Sequence, residues 1–96
     1  MVSSENPPVV ELDSSALSAY VRFSNEDVFQ TKPLSTDRAI ITADFDREGE
    51  VIGVEFVGIK EFSINALLEM SGLRPSAPEG LANTRYVPAQ PDLQMA

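Results

Sequence analysis

Between Arg38 and Phe62 the chain reads RAIITADFDREGEVIGVEFVGIKEF, its longest apolar alternation. Ile41, Ala43 and Phe45 fall on one side, and Ile40, Thr42 and Asp44 on the other. From Glu50 onward, Ile52, Val54 and Phe56 alternate with Val51, Gly53, Glu55 and Val57. Period two in Ile, Val, Thr and Phe is the mark of a half-buried strand. Asp46-Arg47-Glu48-Gly49 between the runs is polar and ends in the residue that takes positive φ without penalty. A four-residue loop there pairs Phe45 with Glu50, Ala43 with Ile52 and Ile41 with Val54. That register gathers Ile41, Ala43, Ile52, Val54 and Phe56 on one face, and Thr42, Asp44, Gly53 and Glu55 on the other. A three-residue loop would put Glu55 beside Ile41. Since a one-residue slip reverses every side chain of one strand, the segregated register is expected. The segment is an antiparallel hairpin.

The same residues hold a second reading. Asp44, Asp46, Glu48, Gly49 and Glu55 stand at positions 1, 3, 5, 6 and 12 of an EF-hand calcium loop. Alternate carboxylates there wrap one cation, and the glycine permits the sharp turn. Position 5 is Glu, however, and the flanks RAIITA and FVGIK are alternating and β-branched where an EF-hand needs helices. The expectation is therefore no metal site, with the acids as turn and solvent-facing strand residues.

Upstream, Met1 to Pro8 reads as a disordered lead-in and Val9 to Leu12 as a short strand, followed by turn chemistry at Asp13-Ser14-Ser15. Ala16 to Phe23 alternates again, with Leu17, Ala19, Val21 and Phe23 inward. Val28 to Lys32 is a weaker strand halted by Pro33, tolerable at an edge or a strand end. After Val57 the period changes. Ser63 is an N-cap, Phe62 can staple onto Leu67, and Ile64, Leu67 and Leu68 form a stripe. Gly72 suits a left-handed C′ position, so Ile64 to Ser71 is a two-turn helix held by packing. Arg74 to Ala96, with four prolines, reads as an extended tail in which only Thr84 to Val87 could join a sheet edge. The expected fold is α+β: an antiparallel β-meander of about five short strands with one short C-terminal helix on one face. The expected organisation is a lead-in at 1–8, one domain at 9–73 and a tail at 74–96.

Charge narrows the function. Fifteen acidic residues against seven basic give a net charge of −8. Asp44 to Glu61 supplies six of those acids and returns only Arg47 and Lys60. Such a surface repels phosphate backbones and anionic lipid and suits a basic protein. With no cysteine and no histidine, thiolate chemistry and the commonest general base are absent. No apolar run reaches the roughly twenty residues of a membrane span. The start lacks the marks of a signal peptide, and a cytoplasmic location is expected.

Several pieces of this chain together resemble a known family. They are Asp13, Ala19-Tyr20-Val21-Arg22-Phe23, Thr31, Asp44-Phe45-Asp46-Arg47-Glu48-Gly49 and Gly53-Val54-Glu55-Phe56-Val57. Across Val10 to Lys60, about half the chain, they resemble a family of short bacterial and archaeal proteins catalogued as domain of unknown function 2283. The most specific part is D-x-D-x-x-G-x-x-x-G-x-E. Leu17 and Leu12 depart from it, where an acid and a tyrosine are usual. The resemblance implies a small antiparallel sheet with a helix, no accepted activity, and accessory or antitoxin-like partners of small toxins.

No constellation of catalytic side chains assembles, because Asp44 and Glu55 share a flat, exposed face rather than a desolvated cleft. The expected function is a non-enzymatic interaction or accessory module without a cofactor, docking a basic protein through Asp44, Asp46, Glu48, Glu50 and Glu55. The alternative is a carboxylate-based metal-binding or hydrolytic domain using the Asp44–Glu55 hairpin. Ile40, Val51 and Val57 around Thr42 and Gly53 form an apolar patch, so a two-fold homodimer through that face is also expected.

Overall fold

The computed structural model describes residues 8–13, 15–34, 40–60, 62–73, 81 and 83–88. Its elements run β1 (Val9–Asp13), β2 (Ser18–Arg22), β3 (Gln30–Leu34), β4 (Ile40–Phe45), β5 (Val51–Val57), α1 (Ile64–Ser71) and β6 (Arg85–Pro88). The strands form one sheet in the order β3-β4-β5-β2-β1-β6. Proline marks both edges. Pro33 lies inside β3 and Pro88 closes β6, and a residue without an N–H is tolerated only where no outer strand needs it. Both prolines also discourage a further strand from pairing there.

The broad class is α+β, and the detail differs from a five-stranded antiparallel meander. β6 is a sixth strand, drawn from the tail, and it runs parallel to β1, so the sheet is mixed. The order is not that of a simple meander either. β2 skips β3 and pairs antiparallel with β5, because the proline-bearing, exposed β3 can serve only as an edge. β3 also runs through Pro33 to Leu34 instead of stopping before it. Leu17, expected inward, sits in the turn before β2 with φ 52 and is 42% exposed. Its carbonyl accepts the N–H groups of Gly58 (2.9 Å) and Ile59 (3.0 Å), which holds it there.

The β4–β5 hairpin keeps Ile41, Ala43, Val54 and Phe56 on the expected face, with Val51 in the core cluster in place of Ile52, but its pairing slides by two residues. Ile41 faces Phe56, Ala43 faces Val54 and Asp44 faces Gly53, whereas Phe45 pairs with Val51. A bulge beside Asp44 and Phe45 leaves Ile52 unopposed. The Ile52 carbonyl instead accepts from the N–H groups of Phe23 (2.9 Å) and Ser24 (3.2 Å). The break in alternation turns Val51 into the core, 3% exposed, while Ile52 is also buried. Expecting Val51 on the opposite face with Ile40 and Val57 is thereby corrected.

Helix α1 follows its sequence signals closely. The Ser63 hydroxyl accepts from the Ala66 N–H, and Gly72 ends the helix at φ 73 with its N–H on the carbonyls of Leu68 and Glu69. Ile64, Leu67 and Leu68 join Val10, Ala19, Val21, Ile41, Ala43, Val54 and Phe56 in one core. One sheet face is thus covered by the helix. Tyr86 of β6 ties the two together, its hydroxyl accepting the N–H of Ile64 at 2.9 Å. Residues 1–7, 74–80 and 89–96, on which much of the lead-in and tail expectations rest, lie outside the described residues.

Candidate functional site

The face opposite the helix is where the polar half of each alternation collects. Glu11 pairs with Tyr20, Tyr20 with Glu55, Thr42 with Glu55, Asp44 with Gly53 and Thr31 with Asp44. Each of these residues is one step out of phase with a core residue, so the pleat carries them all to one side.

Hydrogen bonds knit Glu11, Tyr20, Thr31 and Asp44, with Arg22, into a ladder. The Arg22 guanidinium donates to Glu11 Oε2 at 3.0 Å and lies 5.1 Å from the centre of the Tyr20 ring. The Tyr20 hydroxyl donates to Asp44 Oδ2 at 2.6 Å, and the Thr31 hydroxyl donates to Asp44 Oδ1 at 2.7 Å. Tyr20 is on β2 and Asp44 on β4, two strand spacings or about 10 Å apart. The phenol bridges that gap by lying across β5, and Gly53 is what lets it pass. A Cβ at Gly53 would overlap the Tyr20 Oη and Cζ atoms. The ladder therefore touches β1, β2, β5, β4 and β3 in turn.

Its chemistry is that of a fastener. Burial, reinforced by the hydrogen bond to Asp44 and the charge of that carboxylate, pushes the Tyr20 hydroxyl well above its ordinary value. The phenol is held neutral as a donor, the opposite of an activated nucleophile or base. Both Asp44 oxygens are occupied by hydroxyls. No cation need be bound for that carboxylate to be satisfied.

The five hairpin acids divide between three settings. Asp44 belongs to the ladder. Asp46 closes its own loop: Oδ1 accepts the N–H groups of Glu48 and Glu50, each at 2.9 Å, and its N–H donates to the Glu50 carbonyl at 3.0 Å. Glu48 and Glu55 are exposed and Glu50 is half-buried. Asp44 and Glu55 do share the helix-free face, as the alternation requires, but they sit on strands flanking a tight turn. Among the described residues no three His, Cys, Asp or Glu side chains converge as a ligand set.

Of the apolar trio, Ile40 is 70% exposed, its partner Val57 is half-buried and Val51 is in the core. The trio is not brought together. Gly53, around which that patch was expected, is roofed by Tyr20.

Sequence reasoning missed the Tyr20–Asp44–Thr31 junction. The alternation placed Tyr20 and Asp44 as outward residues of separate strands, and nothing local to either says that β2 lies beside β5. The available signal was Gly53, an interior strand glycine of the kind that marks a close approach.

Comparison with known proteins bears on the same residues. The chain matches no curated protein and no solved structure. A family model described as Protein of unknown function (DUF2283) matches residues 10–60, just over half of the chain and the whole span from Glu11 to Gly53 that builds the ladder.

Proposed function

The chain belongs to the family described as Protein of unknown function (DUF2283), and on that footing we propose that it is a non-catalytic interaction module that docks a basic protein. One observation carries the reading. Among the described residues there is a single ion pair, Arg22 with Glu11, in a chain of net charge −8. The exposed carboxylates of Glu48 and Glu55 have no cationic partner within the described fold, so a partner can supply one. Complementary charge of this kind mainly raises association rate and selectivity. Neutralising a basic protein in an antitoxin-like manner is one form such docking takes.

The hydrolytic or metal-binding alternative draws less support. Asp44 and Asp46, its two central carboxylates, already accept hydrogen bonds from hydroxyls and backbone amides. A two-fold homodimer remains a second proposal on narrower ground, with Ile40 as its apolar centre and Val57 beside it.

The interaction reading is tested by retaining partners on the tagged full chain from its native cell and eluting them with salt. A retained protein with a strongly basic isoelectric point, released by moderate salt, is the expected result. A partner held through high salt, or measurable turnover of a phosphoester or peptide substrate by the purified chain, would contradict it.

A further inference from the structure

At one end of the sheet the β2–β3 loop faces the hairpin loop across a groove of about 220 Å³. Glu26, Asp27, Val28 and Phe29 form one wall and Asp46, Arg47 and Glu48 the other. The Phe29 N–H donates to the Phe45 carbonyl at 2.8 Å, which fixes the first wall against the start of the hairpin turn. The Asp46 carboxylate fixes the second from within. The groove therefore has built sides.

Its lining is unusual for plain solvated surface. Val28 and Phe29 are adjacent large apolar residues, 53% and 58% exposed, beside four carboxylates. The single cation, Arg47, forms no ion pair with those acids among the described residues. Its guanidinium instead lies 5.1 Å from the centre of the Phe29 ring. The ring face thus accepts a planar cation already, and the acids around it remain uncompensated. An aromatic face ringed by negative charge is the environment in which an arginine gains both cation–π attraction and charge-assisted hydrogen bonds.

We infer that this groove is the seat for an arginine-bearing segment of a basic partner protein, the incoming guanidinium taking the exposed side of the Phe29 ring that Arg47 leaves uncovered and its apolar neighbour meeting Val28. The inference rests on the interaction-module reading and locates its contact. It moves the centre of docking away from Asp44 and Glu55, to the end of the sheet where Glu26, Asp27 and Glu48 meet Phe29. Lysine is the poorer occupant, because a compact, strongly hydrated ammonium lacks the planar stacking surface.

The test is a nuclear magnetic resonance titration of the labelled full chain at low salt with the blocked peptide Gly-Arg-Leu-Arg-Gly. Its counterparts carry lysine or uncharged citrulline in place of arginine. The expected result is amide shifts confined to Glu26–Phe29 and Asp46–Glu48, weaker with lysine and absent with citrulline. Phe29→Ser should weaken binding by about twofold to fivefold, the range of an exposed cation–π contact. The Asp27→Lys, Glu48→Lys double variant should abolish it. All three positions are exposed, and a dispersed spectrum verifies that each variant folds. Shifts centred on Tyr20, Asp44 and Glu55 would overturn the groove while leaving the basic-partner reading intact. Equal binding of the citrulline peptide would overturn the charge argument. Groove shifts that track protein concentration without peptide would assign the groove to a second copy and also overturn the inference. No shift with either cationic peptide at millimolar concentration would sink both readings.

Discussion

Placing a methyl on Gly53 should destabilise this protein even though glycine is ordinarily the weaker strand residue. In an open strand Gly→Ala is expected to gain about 0.5–1 kcal/mol, since glycine loses more chain entropy on folding. Here the new Cβ would occupy the position of the Tyr20 Oη and Cζ atoms, so the phenol must swing away. Three consequences follow from the geometry. The 2.6 Å hydrogen bond to Asp44 is lost, a bond to a charged acceptor worth about 1.5–3 kcal/mol. The Arg22 contact with the ring, about 0.5–1 kcal/mol, goes with it. Water reaches the half-buried Asp44 and recovers part of the first term. The net cost is about 1–2 kcal/mol, or a fall in Tm of roughly 4–16 °C for a domain this small. The decisive comparison is a double-mutant cycle with Tyr20→Ala, read by urea denaturation. With the ring gone, Gly53→Ala should become neutral or stabilising, giving a coupling of about 2 kcal/mol. If Gly53→Ala costs the same with and without Tyr20, the glycine is there for some other reason and the ladder argument fails.

Other expectations follow from the same structure. In a Tyr86→Phe variant the remaining phenol, Tyr20, should stay un-ionised by ultraviolet absorbance well past its ordinary value of 10.0. Because its folded value is raised, its contribution to stability is complete below about pH 10 and declines as pH rises above that, so Tyr20→Phe should flatten the alkaline fall in stability. Ser63→Ala removes the side-chain cap on the Ala66 N–H and should cost about 1 kcal/mol by denaturation, a loss that Ser63→Asp should largely restore. Asp13 is held below its ordinary carboxylate range by the Ser15 hydroxyl and the Ala16 N–H, so Ser15→Ala should raise its midpoint in a pH titration. Sedimentation of the full chain at high micromolar concentration should give a dimer that Ile40→Asp converts to monomer, and a monomeric wild type would contradict the dimer.

Local signals were legible wherever a residue acts on its own neighbours. Ser63, Gly72 and the Ile64-Leu67-Leu68 stripe define α1 to the residue, since caps and helical period are read within one turn. Alternation likewise separated Ile41, Ala43, Val54 and Phe56 from Thr42, Asp44 and Glu55. It did not fix the pairing. A slide of two residues preserves both faces, so the face argument cannot distinguish Ile41 opposite Val54 from Ile41 opposite Phe56. What chooses is the Asp46 carboxylate, which closes a loop reaching Glu50, together with the Ile52 bulge bonded to Phe23 and Ser24. That bonding depends on β2 lying beside β5, a contact between residues some thirty positions apart that no local pattern encodes. Val51 was misplaced for the same reason, and the Tyr20–Asp44 junction went unseen. Pro33 did announce an edge, and taking it seriously would have excluded a meander in which β3 lies between β2 and β4.

The central claim is that the carboxylates left without an ion pair among the described residues serve a basic partner, and the association rate against ionic strength tests it most directly. For the salt-released partner, the rate with the wild-type chain should fall steeply as salt is raised from about 0.02 to 0.5 M, as screening shortens the reach of the charges. The Glu48→Lys, Glu50→Lys variant should associate more slowly at low salt and converge with the wild type at high salt. Rates that match for the two proteins at every ionic strength would contradict the claim and reduce the acidic hairpin to a solvated face.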